Sequence, residues 1–318
     1  LRPVEQDLAG HGVKTLVIVP DGSLRLVAVG AFHDGSRFAI EKYAIATSPG
    51  MSMTNTERNV PIDGVLLAGL STPGSVVDKL SRGAVSQLLG PLAANQFGPP
   101  TLLASRSVRS MRGAAVALAD APNDAASRSA ALRDALSLPG VGKEVMEIGK
   151  VAGGTRLLDQ AFTIDNFRRE AESGRYSVIH LASHGVFGGR SDATYLLAYD
   201  DLLTLDRLQS LLRSDTFRRK PIELLSLSAC ETAEGDERSP LGLSGAAIKA
   251  RARSVMGSLW PVSDDAAVDL MTSFYRGLIQ QHLSKAQALQ QSQIELLHKP
   301  GFAHPFYWAP FILIGNWF

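Results

Sequence analysis

From residue 139 onward, short apolar runs alternate with amphipathic stretches, and that alternation limits the fold more than any other feature of the chain. Runs at 155–158, 176–182, 222–228, 254–259 and 311–314 are too short for buried helices and read as strands, most of them apolar enough to be covered on both faces. Between them, 144–151, 163–172, 205–213, 239–252, 263–280 and 285–298 carry helical patterns. Thr163 stands ahead of Phe167 as an N-cap, and Gly153-Gly154 is a stop signal. Strands that alternate with helices build an α/β fold, here a mostly parallel sheet flanked by helices.

The N-terminal part reads differently. The β-branched run at 15–19 is followed by turn signals, Pro20-Asp-Gly-Ser23 and His33-Asp-Gly-Ser36, so strands at 15–19, 24–28 and 37–45 are expected as a hairpin-rich opening. A further short strand is expected at 65–70. Residues 75–135 turn to Ala, Ser and Leu, with Gly-Pro-Pro at 98–100, and are expected to be helical or a mobile insert without chemistry. The expected organisation is a β-rich portion at 1–138 containing that insert, and a second portion at 139–318 that carries the chemistry. Together they form one unit. A first residue of Leu rather than Met leads us to expect a piece cut from a longer protein.

Composition closes off several function classes. A formal net charge of +1 over 318 residues gives no general attraction to nucleic acid or to an acidic membrane surface. No apolar run is long enough to span a bilayer. A single cysteine allows no internal disulfide, which fits a reducing, cytoplasmic setting. His180 and His184 have a spacing that binds zinc on a helix, but here they fall on a strand, with no glutamate motif and no third ligand. Gly140-Val-Gly-Lys143 lacks the first glycine and the Ser/Thr of a phosphate-binding loop.

Two strand ends carry the chemistry. In His180-Leu-Ala-Ser-His184-Gly185 an apolar strand runs into a histidine and a glycine; in Leu225-Ser-Leu-Ser-Ala-Cys230-Glu-Thr232 another runs into the only cysteine. Sites in open α/β sheets form beyond the carboxyl ends of the strands, so neighbouring strands would bring His184 and Cys230 to one crevice. A thiol needs a proton acceptor to become a nucleophilic thiolate, and an imidazole with an ordinary pKa near ~6.5 suits that task and the protonation of a leaving amine. The backbone N–H groups of Gly185 and Cys230 would then form an oxyanion hole. The competing readings are a small buried cysteine and a packed histidine.

The ordered motifs Val19-Pro-Asp-Gly-Ser-Leu24, Glu41-Lys-Tyr-Ala-Ile-Ala46, the His184 and Cys230 segments, Gly257-Ser-Leu-Trp-Pro-Val-Ser-Asp264, His304-Pro-Phe-Tyr-Trp-Ala309 and Gly315-Asn-Trp317 span nearly the whole chain except about 75–135. Through them the chain resembles the CHAT domain, the caspase-like clan CD module of bacterial tetratricopeptide-repeat proteins. The resemblance implies the caspase–hemoglobinase fold, no cofactor for the chemistry, and cleavage of a protein substrate by a Cys–His dyad through a thioester acyl-enzyme. It also implies a tetratricopeptide-repeat region, in cis or in trans, as regulator. Two departures stand out: Val27-Ala-Val-Gly30 lacks the usual Pro-Phe, and position 228 is Ser where metacaspases carry Asp. Degenerate members lack the His or the Cys, and a non-catalytic scaffold is the alternative function; this chain has both residues.

For substrate binding the candidates are Trp260, Ser263, Asp264 and Asp265, with Glu231 in the acidic loop after the cysteine. Acids at 264 and 265 would favour Arg or Lys at P1. Against this, Ser263 looks like an N-cap, and acids in a first helical turn are favoured by the helix dipole alone. Glu231 reads instead as part of a solvated loop that leads into the helix start at Ser239-Pro240.

Overall fold

The computed structural model describes residues 2–50, 62–85, 88, 125–186, 194–228, 248 and 252–318. Its eight-stranded sheet has the order β1-β2-β11-β10-β9-β5-β3-β4. The strands are β1 (Thr15–Ile18), β2 (Ala44–Thr47), β3 (Val65–Gly69), β4 (Thr155–Leu158), β5 (Val178–Ala182), β9 (Leu224–Ser228), β10 (Ser254–Ser258) and β11 (Phe311–Gly315). β10 and β11 pair antiparallel. The other neighbouring pairs are parallel, among them β3 with β5 and β5 with β9. The mostly parallel α/β sheet is therefore present.

Alternation along the central strands sorts the core into two layers. Val65, Leu67, Val178, Ala182 and Leu224 pack with Val145, Ile148, Phe274 and Leu289 from the Pro139–Ala152, Asp264–Tyr275 and Lys285–Leu297 helices. Leu66, Ala68, Ile179, Leu181, Leu225 and Leu227 face the other way, onto Phe167, Leu208 and Phe217. Covering each such side chain contributes roughly 1.5–3 kcal/mol, which is why the central strands need no polar face. The helix starts follow the sequence: the Thr163 hydroxyl accepts from the Asn166 N–H at 3.2 Å, and Gly153 ends the Pro139–Ala152 helix with φ of 67°.

The N-terminal opening is a correction. β1 and β2 are parallel neighbours, not arms of a hairpin. Residues 24–28 do not form a strand, because the Asp21 side chain accepts from the Gly22 N–H and starts a tight turn over Gly22–Leu26. Glu41 accepts from the Phe38 N–H and starts the Ala39–Lys42 helix inside the expected third strand. The turn at 33–36 is present, held by Asp34 accepting from the Ser36 and Arg37 N–H groups. Of the insert, a short 3-10 turn at Ser75–Lys79 and a helix at Ala125–Ala135 are described; most of 86–124 and of the expected 239–252 helix lies outside the described residues.

A second, three-stranded sheet was not legible in the sequence. It joins β6 (Gly185–Val186), β7 (Tyr195–Leu197) and β8 (Leu202–Thr204) in antiparallel pairs directly beyond the end of β5. Runs of two or three residues are too short to carry a periodic signal.

Candidate active site

β5 and β9 lie side by side in parallel, with His180 opposite Ser226 and Ala182 opposite Ser228. His184 follows the end of β5 and is 3% exposed. Its ring is hydrogen-bonded to the main chain of Leu136, and among the described residues Nε2 has no hydrogen-bond partner. Burial lowers its pKa to about 4, the bond to Leu136 opposing. The imidazole is therefore neutral at pH 7, with Nε2 free to accept a proton, rather than the ordinary imidazole expected from sequence.

Gly185 opens β6. The Leu197 N–H donates to the His184 carbonyl at 2.9 Å, which makes 184 and 197 the bonded pair of the antiparallel ladder. Gly185 and Leu196 are then a non-bonded pair, and the Gly185 N–H points away from β7. The Ser183 hydroxyl donates to the Leu197 carbonyl at 2.6 Å and ties the end of β5 to this small sheet.

At the carboxyl ends of β5 and β9, with Ser183 and Ser228 in its wall, lies a cavity of about 50 Å³. Its walls include Leu138, Gly140, Glu144, Ser183, Ser228 and Asp264. Asp264 reaches across from its own helix to the first turn of the Pro139–Ala152 helix, where the Gly140 N–H donates to Oδ2 at 3.4 Å. Its carboxyl is held above the ordinary range mainly by burial, with the charges of Glu144 and Asp265 adding to the rise and the Gly140 N–H opposing it.

Below the cavity is a buried polar group. His180, fully buried, has Nδ1 3.2 Å from Ser226 Oγ and 3.4 Å from the Tyr275 hydroxyl. Its Nε2 is 3.1 Å from Glu144 Oε1. That pair is close enough for charges to interact but too poorly aligned to be a hydrogen bond, and both atoms lack a hydrogen-bond partner.

The CHAT domain profile matches residues 1–316. The chain belongs to the CHAT domain family. No curated protein matches its sequence. Among solved structures, this CHAT domain is similar to gingipain R, an Arg-specific cysteine proteinase, at 11% identity and a TM-score of 0.54 over 99% of this chain and 66% of that one. The complex of Porphyromonas gingivalis RgpB pro- and mature domains matches at 10% identity and a TM-score of 0.53, over 99% and 68%. Saccharomyces cerevisiae separase, in its complex with securin, matches at 12% identity and a TM-score of 0.50, over 95% and 16%. The fold is the caspase-like one. The CHAT domain spans about two thirds of the gingipain chains and about a sixth of the separase chain.

Of the residues singled out from sequence, Cys230 and Glu231 lie outside the described residues. Trp260 packs on Phe306, donating Nε1–H to its carbonyl at 3.0 Å, and is not among the cavity's lining residues. Ser263 occupies the N-cap position, but its hydroxyl makes no capping bond. Asp265 is exposed and, like Ser263, does not line the cavity. The CHAT domain thus brings His184, Gly185 and Asp264 to one edge of the sheet. Glu144 and Tyr275 were missed from sequence. Glu144 had a signal: it falls on the stripe Val141, Val145, Ile148, where an apolar residue is expected.

Proposed function

We propose that this CHAT domain is a cysteine endopeptidase, with Cys230 as nucleophile and His184 as base and acid. The observation that carries this reading is the strand register. Paired residues 180 and 226, and 182 and 228, are 46 apart in sequence, and so are His184 and Cys230. β5 and β9 end level with one another, and in the sequence His184 stands two residues beyond the end of β5 and Cys230 two residues beyond the end of β9. Gingipain R, whose structure this fold resembles, is a cysteine proteinase.

The chemistry follows from the groups present. His184 Nε2, neutral and unpartnered, takes the thiol proton while Cys230 Sγ bonds to the substrate's carbonyl carbon. The Gly185 N–H, unused by the ladder, donates to the developing oxyanion with that of Cys230. The imidazolium gives its proton to the leaving amine, and a thioester remains. Water then attacks the thioester with His184 again as base, and the thiol is restored. A tetratricopeptide-repeat region, attached or separate, regulates this activity, and the substrate is a protein.

The test is a thiol-reactive peptide probe, followed by peptide hydrolysis in the Cys230→Ala and His184→Gln proteins. Labelling of the parent chain, with hydrolysis abolished by Cys230→Ala and lowered ~10²–10⁴-fold by His184→Gln, is the expected result. A folded Cys230→Ala protein that cuts at the parent rate overturns it.

A further inference from the structure

The cavity at the carboxyl ends of β5 and β9 presents two acids that the dyad chemistry does not use. Glu144 is 2% exposed, yet its Oε1 makes no hydrogen bond. Asp264 receives one long bond, from Gly140. With only a poorly aligned contact to His180 Nε2 at 3.1 Å, this buried carboxylate is incompletely compensated, and Leu at 144 would avoid that cost. The helix dipole accounts for Asp264, which sits in the first turn of one helix and faces the first turn of another. It does not account for Glu144, which lies in the second turn of the Pro139–Ala152 helix. His180 stands behind Glu144, on the sheet side, so the side of the carboxylate that lines the cavity is left for a ligand.

Size and charge narrow that ligand. At ~10–15 Å³ per water-sized group, about 50 Å³ holds roughly four such groups. A guanidinium is one carbon and three nitrogens, and its planar fork of five N–H donors can face carboxylates on two different helices at once, which a compact ammonium does less well. Ser183 and Ser228, which line the same cavity, lie at the ends of the strands that lead to His184 and Cys230. A side chain seated here would set the residue before the scissile bond.

We infer that this cavity is the P1 pocket, that the side chain it takes is arginine, and that Glu144 selects it together with Asp264. The inference rests on the peptidase reading and adds to it Glu144, the acid at the floor of the pocket. The raised pKa of Asp264, caused by burial and in part by the Glu144 charge, agrees with a pair of acids lacking their cation.

The test separates binding from cleavage. In the full chain carrying Cys230→Ala, N-acetyl-arginine amide should bind at least about 10-fold tighter than N-acetyl-citrulline amide, which has the same shape without the charge. Adding Glu144→Gln, or separately Asp264→Asn, should bring that preference to within about threefold. No preference in the Cys230→Ala protein overturns the inference without recourse to any cavity variant. A preference unchanged by either cavity substitution also overturns it. If Glu144→Gln does not fold, the Cys230→Ala protein and Asp264→Asn still decide. Arginine preference in binding, with no peptide of any sequence cut by the parent chain, sinks the peptidase reading and leaves the pocket standing; cleavage with equal rates after arginine and citrulline does the reverse.

Discussion

Glu144 Oε1 lies 3.1 Å from His180 Nε2, with both side chains sealed between the sheet and the Pro139–Ala152 helix. A charge in such a place is tolerated because of what faces it. Removing one partner should therefore hurt more than removing both. His180→Ala is expected to cost about 3–5 kcal/mol, because it strands the Glu144 carboxylate. Glu144→Leu with His180→Leu should cost markedly less than the sum of the two single changes, a coupling of about 1 kcal/mol or more. Urea unfolding of the four proteins gives the cycle. Additive costs would show that the two side chains do not sense each other.

His184 makes the domain acid-sensitive. Burial holds its pKa near 4, whereas an unfolded chain has it near ~6.5. Between those values the unfolded chain binds a proton that the folded one refuses, so stability falls as pH drops from about 6.5 to about 4. The loss is on the order of 3 kcal/mol for a group this buried. His184→Gln should lack that part of the decline, read as the difference in urea midpoints at pH 7 and pH 4.5. An identical decline in both proteins would assign the acid sensitivity to other groups.

Asp264 sets stability against recognition. Its pKa is raised in the folded state, so the charged form is the penalised one: the penalty is full above the folded pKa and fades as pH falls through it. Asp264→Asn should therefore leave the domain as stable as the parent at pH 7, or more so, while weakening arginine binding. A helix cap with no other role predicts the opposite sign for stability, a loss of roughly 0.5–2 kcal/mol. Thermal unfolding at pH 7 distinguishes the two.

Lys285 is a buried cation whose charged neighbours, Glu223 and Arg253, directly precede β9 and β10. Burial lowers its pKa to about 8, the Glu223 charge opposing that and the Arg253 charge adding to it. Glu223 itself pairs with Arg253 at 3.0 Å. Below about pH 8 the burial penalty is complete; from there to about 10.5 the unfolded chain holds a proton the folded one has shed, so stability rises with pH. Lys285→Met should be more stable than the parent at pH 7, with the gap shrinking to roughly half or less by pH 9.5. A constant gap would mean that Lys285 does not titrate in this window.

The parts of the site legible in the sequence were those with a local signature. An apolar strand running into His184-Gly185 is visible in six residues; the strand that runs toward Cys230 is as visible, while Cys230 itself lies outside the described residues. Glu144 is marked in the sequence only as a charge on an apolar stripe; its meaning depends on His180 in a strand more than 30 residues later and on Asp264 more than 100 later. The opening misled for a different reason. Residues 24–28 have strand composition, but a strand needs a neighbour to bond with, and the Asp21 side chain bound to the Gly22 N–H offered the backbone a local turn instead. The Arg37–Ile45 run was interrupted in the same way by Glu41 bonding back to Phe38.

The order of strands also dictates an order of assembly. β2 reaches the rest of the sheet through β11, which lies between it and β10. During synthesis on a ribosome, β1 and β2 emerge early but have no sheet to join until residues 311–315 are made. The five strands β3, β4, β5, β9 and β10 can pair as they appear, while the first 47 residues wait with apolar side chains uncovered. The sheet of this domain can therefore be completed only once residues 311–315 have been made, and until then the segment that carries β1 and β2 is where a chaperone would find it.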